Sequence, residues 1–91
     1  MVSGTAIINR TTTAVKAGNF TQAATTFKSF DEYWEGVEDG VKVKFPALYR
    51  KIEENMDTVS HGLRGNKPDS TKVLSALQAL STDLAEYTSS L

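Results

Sequence analysis

A cysteine-free chain of 91 residues is expected to form one helical-bundle domain over 1–91, held together without disulfides, thiolate chemistry or cysteine-based metal sites. Ten basic and eleven acidic residues leave a formal net charge of -1 with the cations scattered among acids, so there is no basic stripe for phosphate contact and nucleic acid is not an expected partner. No stretch approaches the roughly 18 uninterrupted apolar residues of a membrane span, and no basic start leads into an apolar core and cleavage site, so a soluble chain without direct membrane insertion is expected.

From Ser3 to Ala17, the residues Ile7, Ile8, Thr11, Ala14 and Val15 fall on one side of a helical wheel. This predicts a short first helix in spite of three consecutive β-branched threonines, Thr11, Thr12 and Thr13. Gly18 can take the left-handed conformation that closes a helix, and Asn19 is placed to cap the next one, with Gln22 three residues on to complete a capping box. The second helix is expected from about Phe20 to Asp39 or a little beyond. Its seam is Phe20, Ala23, Phe27, Phe30, Trp34, Val37 and Val41, at alternating spacings of three and four.

Gly40 weakens that helix, and from Val41 to Phe45 apolar and polar residues alternate as in a strand. A lone strand would have no partner here, so a final helical turn or a structured loop is expected. Pro46 suits the first position of a third helix, where its missing N–H costs nothing. The seam of that helix is Phe45, Leu48, Ile52, Met56, Val59 and Leu63, and it should end around Leu63 because Gly65, Asn66 and Pro68 follow. Asp69 or Ser70 starts a fourth helix running to about Thr88, with Val73, Leu77, Leu80, Leu84, Tyr87 and Leu91 on its inner face. Short connections force antiparallel neighbours, so the fold class is all-α: an antiparallel up-down four-helix bundle with a shorter first helix. Pairing helices two and three about their connection sets Val37 near Tyr49, Trp34 near Ile52, Phe30 near Met56 and Phe27 near Val59. The aromatic row is therefore core, and Trp34 an anchor of it.

Acidic residues are the polar feature that stands out. Asp31, Glu35 and Glu38 share one flank of helix two, joined by Glu32 and Asp39, and Glu53, Asp57 and His61 lie four apart in succession on helix three. Carboxylates and one imidazole facing each other across two helices are what a bundle uses to hold iron, manganese or zinc. The candidate metal ligands are accordingly Asp31, Glu35, Glu38, Asp39, Glu53, Asp57 and His61, for iron or another divalent cation. The competing reading makes the same acids the solvated border of the core, paired with Lys28, Lys42, Arg50 and Lys51. The Glu-x-x-His spacing of buried di-iron bundles is absent and no predicted seam position carries an acid, so a metal would be held superficially.

His61-Gly62-Leu63-Arg64-Gly65 resembles the His-x-Leu-Lys-Gly signature of histidine phosphotransfer domains, four-helix bundles in which an exposed imidazole accepts a phosphoryl group; Arg64 stands where lysine is usual. The resemblance implies a phosphorelay role for His61. Without it, His61 is an exposed residue in a last helical turn, where a cation complements the helix dipole. Asn9-Arg10-Thr11 and Asn19-Phe20-Thr21 match the glycosylation pattern, but are accounted for as helix surface and helix cap. No glycine-rich phosphate loop, serine elbow or metalloprotease helix motif occurs, so no catalytic residues and no enzyme activity are expected.

A longer pattern runs through the middle of the chain: Phe30-x-x-x-Trp34-x-x-Val37-Glu38-Asp39-Gly40-Val41-Lys42, then Pro46-x-x-Tyr49-x-x-Ile52-Glu53-x-x-Met56. Ala17-Gly18-Asn19-Phe20 with Ala23 precedes it, and Asp69-x-x-Lys72-Val73-x-x-Ala76-Leu77 follows. This resembles a helical extracytoplasmic module found with bacterial iron permeases, and the likeness covers most of the chain. It implies the periplasmic or otherwise extracytoplasmic part of an iron uptake system, with a membrane permease or another protein as partner and cation capture near Glu35, Glu38, Asp39 and Glu53. The Arg-Glu-x-x-Glu motif of the permease proper is missing, so transport by this chain alone is not implied. The expected function is a non-enzymatic accessory or sensory module of metal uptake. The alternatives are a phosphotransfer protein using His61 and a plain protein-protein interaction module with an exposed apolar patch.

Overall fold

A computed structural model describes residues 4–64 and 69–90. Four helices follow in order: α1 (Gly4–Lys16), α2 (Phe20–Lys44), α3 (Pro46–Arg64) and α4 (Ser70–Ser89). Each packs on its neighbours in sequence, and α1 closes the ring against α4. This is the expected up-down four-helix bundle with a short first helix, and no strand occurs among the described residues. At about 1.5 Å per residue, a helix as long as α2 spans roughly 37 Å, which matches the longest dimension of the molecule, 37 Å. The second helix therefore sets the length of the bundle.

Local chemistry explains each boundary. The α1 threonines are accommodated because each turns its hydroxyl back onto the carbonyl four residues earlier: Thr11 to Ile7, Thr12 to Ile8 and Thr13 to Asn9, at 2.8–3.0 Å. Thr11 is thereby satisfied while fully buried. Gly18 takes φ +76°, in the left-handed region, and Asn19 then caps α2 by accepting from the Gln22 backbone N–H at 3.1 Å. The reciprocal half of the capping box is not made, because the Asn19 N–H donates to the Ala14 carbonyl at 2.9 Å; the Gln22 side chain donates forward to Thr26 at 3.3 Å. The stretch after Gly40 continues α2 to Lys44. Only Val41 of its alternating valines packs inward; Val43 is 82% exposed. Pro46 opens α3 as its first residue, and Asp69 caps α4 by accepting from the Lys72 N–H at 3.1 Å. The expected stop at Gly65, Asn66 and Pro68, and the last seam residue Leu91, lie outside the described residues.

The core is built from the three seams plus the inner face of α1. Ile8, Phe30, Ile52, Val59, Val73, Leu77 and Leu80 are among its fully buried members, while Phe20, Val37, Phe45 and Tyr87 are half-buried at its margins. Phe27 and Phe30 stack with ring centroids 5.4 Å apart, Phe30 meets Tyr33 at 5.6 Å, and Phe45 stands edge-on to Tyr87 at 6.0 Å. Helices α3 and α4 approach so closely at Gly62 that a Cβ there would run into the Val73 side chain. Gly36, in mid-α2, faces open space. Opposite outcomes are thus expected from one substitution. Gly36→Ala should raise stability by about 0.5–1 kcal/mol through helix propensity, and Gly62→Ala should lower it by about 1–3 kcal/mol through overpacking, as measured by urea denaturation.

Candidate functional site

Of the acids of α2 and α3, Glu53 is the one that hydrogen bonds tie across the seam between the two helices. Trp34 lies buried between the two helices, and its indole N–H needs an acceptor there. Glu53 Oε2 accepts it at 2.9 Å, and the Tyr49 hydroxyl donates to Glu53 Oε1 at 3.1 Å. Tyr49 also stacks on the indole, with centroids 5.8 Å apart, and Lys42 Nζ stands 5.7 Å from the Tyr49 ring centroid. Tyr49 and Glu53 are one helical turn apart on α3 and bracket Ile52, so Trp34 sits at the level that pairing about the α2–α3 connection predicts. A carboxylate with one hydrogen bond on each oxygen is held in a single orientation, half-buried between the core and the surface.

The charges of other acids are felt by two neighbouring groups. Asp31 is exposed, yet its carboxyl is pushed above the usual range by partial burial and then by the nearby charge of Glu35, with Arg64 pulling it down and Glu53 adding to the rise. The Tyr49 hydroxyl is pushed up chiefly by its hydrogen bond to Glu53, with the charges of Glu53, Glu38 and Asp39 adding to it. Both groups thus sense negative charge, Asp31 from Glu35 and Glu53 and Tyr49 from Glu53, Glu38 and Asp39. Glu35 and Asp39 are exposed, and Glu38 is half-buried. Asp57 and His61 stand exposed further along α3, where His61 Nδ1 lies 2.8 Å from the Asp57 carbonyl oxygen. A carbonyl can only accept, so Nδ1 is the donor in this contact, and in the neutral imidazole Nε2 then presents its lone pair outward. Among the described residues, no three His, Asp or Glu side chains come together as a group that could hold a metal ion. The seven candidates are therefore a charged flank rather than a chelating cage, and a cation there would keep most of its water.

Other surfaces are less distinctive. No helix among the described residues is long and apolar enough to cross a membrane. The exposed large hydrophobic among them is Val43. In the first glycosylation-like triplet Thr11 is buried, and in the second the Asn19 side chain is occupied as a cap.

One acid escaped the sequence reading, which held that no seam position carries one. Asp83 is buried on α4, 6% exposed, and accepts from Asn55 Nδ2 of α3 at 3.1 Å. The signal was present: Ala76, Leu80 and Asp83 repeat at four and three, a row that shares Leu80 with the predicted inner face. Compared with family models, curated proteins and solved structures, the chain matches none.

Burial pushes the Asp83 carboxyl above its ordinary value of 3.8, against the Asn55 hydrogen bond and the Lys51 charge, while Glu86 adds to the rise. The folded state thus keeps this proton to higher pH than the unfolded chain does, so the contribution to stability is complete below the ordinary value and lost as pH rises through the folded one. Asp83→Asn keeps an acceptor for Asn55 and removes the charge. It should raise stability at pH 7 by about 1 kcal/mol, a few degrees in Tm, with the gain shrinking towards pH 4 in thermal melts.

Proposed function

We propose that this protein is a non-enzymatic accessory or sensory module of a metal-uptake system, working outside the cytoplasm and handling iron or another divalent cation as cargo. The observation that carries the reading is Glu53, oriented by Trp34 and Tyr49 and near enough to the acids of α2 for its charge to act on Asp31. Oxygen-only ligands suit hard cations, and one or two carboxylates with retained water give weak, readily reversed capture. Such a site suits handing a cation to a partner better than storing it, and the likeness to permease-associated modules supplies the partner class, a membrane permease. The likeness is also what favours an extracytoplasmic setting.

Mn²⁺ is a suitable hard probe. Because Trp34 is the sole tryptophan and donates directly to Glu53, cation capture at Glu53 should perturb its fluorescence. Titration should show saturable Mn²⁺ binding in the millimolar range, with Glu53→Gln weakening it about thirtyfold, the loss of one unit charge about 4 Å from a divalent ion. Absence of both calorimetric heat and a fluorescence response up to about ten millimolar Mn²⁺ would remove the metal reading.

A second reading is favoured by His61. Its exposed imidazole, with Nδ1 tied to the Asp57 carbonyl, leaves Nε2 as a free nucleophile on a four-helix bundle. As a phosphorelay protein it would take a phosphoryl group from an aspartyl phosphate on a receiver domain. Incubation with a phosphorylated receiver should then label the protein, and His61→Gln should abolish the label. No transfer to the unmodified protein would dismiss this role.

A further inference from the structure

We infer that the groove between α2 and α3, at the end of the bundle where α3 terminates, binds a small carboxylate with an apolar body. The groove is open to solvent and has a volume of about 260 Å³. Its floor is apolar, formed by Ala24 and Phe27 of α2 and Leu63 of α3, and its rim carries Lys28 and Asp31 on one side and Ser60 and Arg64 on the other. The positions follow from helix geometry, since Ala24, Phe27, Lys28 and Asp31 repeat at three, one and three along one face of α2, and Ser60, Leu63 and Arg64 do the same on α3. Ligand sites of this kind pair an apolar floor with a few converging polar groups, and this volume suits a body of about ten non-hydrogen atoms.

Charge complementarity selects the anion. Arg64 is held back along its own helix, Nε donating to the Ser60 carbonyl at 3.2 Å, and its charge reaches across the groove far enough to act on Asp31. Lys28 adds a second cation from the opposite wall. The last carbonyls of α3 carry partial negative charge and oppose an anion, so Arg64 is needed to reverse the local sign. Asp31 opposes the anion as well and keeps the affinity low. The larger groove between α1 and α4, about 380 Å³, has Lys16 as the cation of its lining and a more polar set of side chains, Asn9, Thr12, Gln78 and Ser81 among them. It lacks the paired cations. This binding is independent of cation capture at Glu53, and each can fail without the other.

Titration of the metal-free protein with 4-phenylbutyrate, followed by ¹H–¹⁵N NMR, tests the inference, with 4-phenylbutanamide as the uncharged control. Saturable shifts should centre on Ala24, Lys28, Asp31, Ser60 and Leu63, with a Kd of about a millimolar. Arg64→Gln and the amide control should each weaken binding by about threefold to fivefold, and Asp31→Asn should tighten it by a similar factor. The gain in Asp31→Asn cannot arise from a misfolded variant. Shifts that do not saturate by about 20 mM, shifts centred elsewhere, or equal affinity for the acid and its amide would overturn the proposal.

Discussion

A buried tryptophan brings one polar atom into an apolar seam, and an indole N–H without an acceptor costs about 1–3 kcal/mol there. Trp34 meets that demand with Glu53, which in turn receives the Tyr49 hydroxyl. The rest of the α2/α3 face is arranged around this. Stacking of Tyr49 on the indole and the approach of Lys42 to the Tyr49 ring extend the contact outward, so one polar tie links the core aromatics of α2 to the surface charges of α3. Hydrophobic burial stabilises the bundle, and the Trp34–Glu53 pair selects the register in which α3 lies against α2, because sliding either helix by a turn would orphan both partners.

The same tie separates Glu53 from the acids around it. Glu35, Asp39 and Asp57 are exposed side chains, whereas half-buried Glu53 has its two oxygens assigned and its plane set. An oriented carboxylate within a negative field, without a cage around it, is the arrangement on which the proposed weak and exchangeable cation capture rests. The charged groove at the other end of the α2/α3 seam has the opposite local character, with Arg64 and Lys28 outnumbering Asp31. One helix pair thus presents an acidic stretch near the α2–α3 connection and a cationic stretch near the end of α3.

Helix periodicity made the seams legible, since packing requires large apolar residues at three and four and few other constraints produce that spacing over so many turns. Caps at Asn19 and Asp69 and the placement of Pro46 were legible for a local reason: each satisfies or avoids backbone groups within three residues of itself. Asp83 was not, because an acid one residue before Leu84 looks like surface until Asn55, 28 residues earlier, is brought against it. Gln22 shows the limit within a helix, where the Asn19 N–H it would accept from is given instead to the Ala14 carbonyl of the preceding turn and its own amide donates forward to Thr26.

The order of the four helices, the aromatic inner face of α2 and the presence of acids on neighbouring flanks were determined by sequence alone, because they depend on periods and on chemistry within a turn or two. The tertiary structure decided which acid is oriented, which is buried and which cations face one groove. Glu53 differs from Glu35 only through Trp34 and Tyr49, and Arg64 acts on Asp31 only because α3 returns antiparallel to α2. Such distinctions arise from side chains far apart in the chain that share a few ångströms of space, where hydrogen bonds and desolvation act and sequence separation has no meaning.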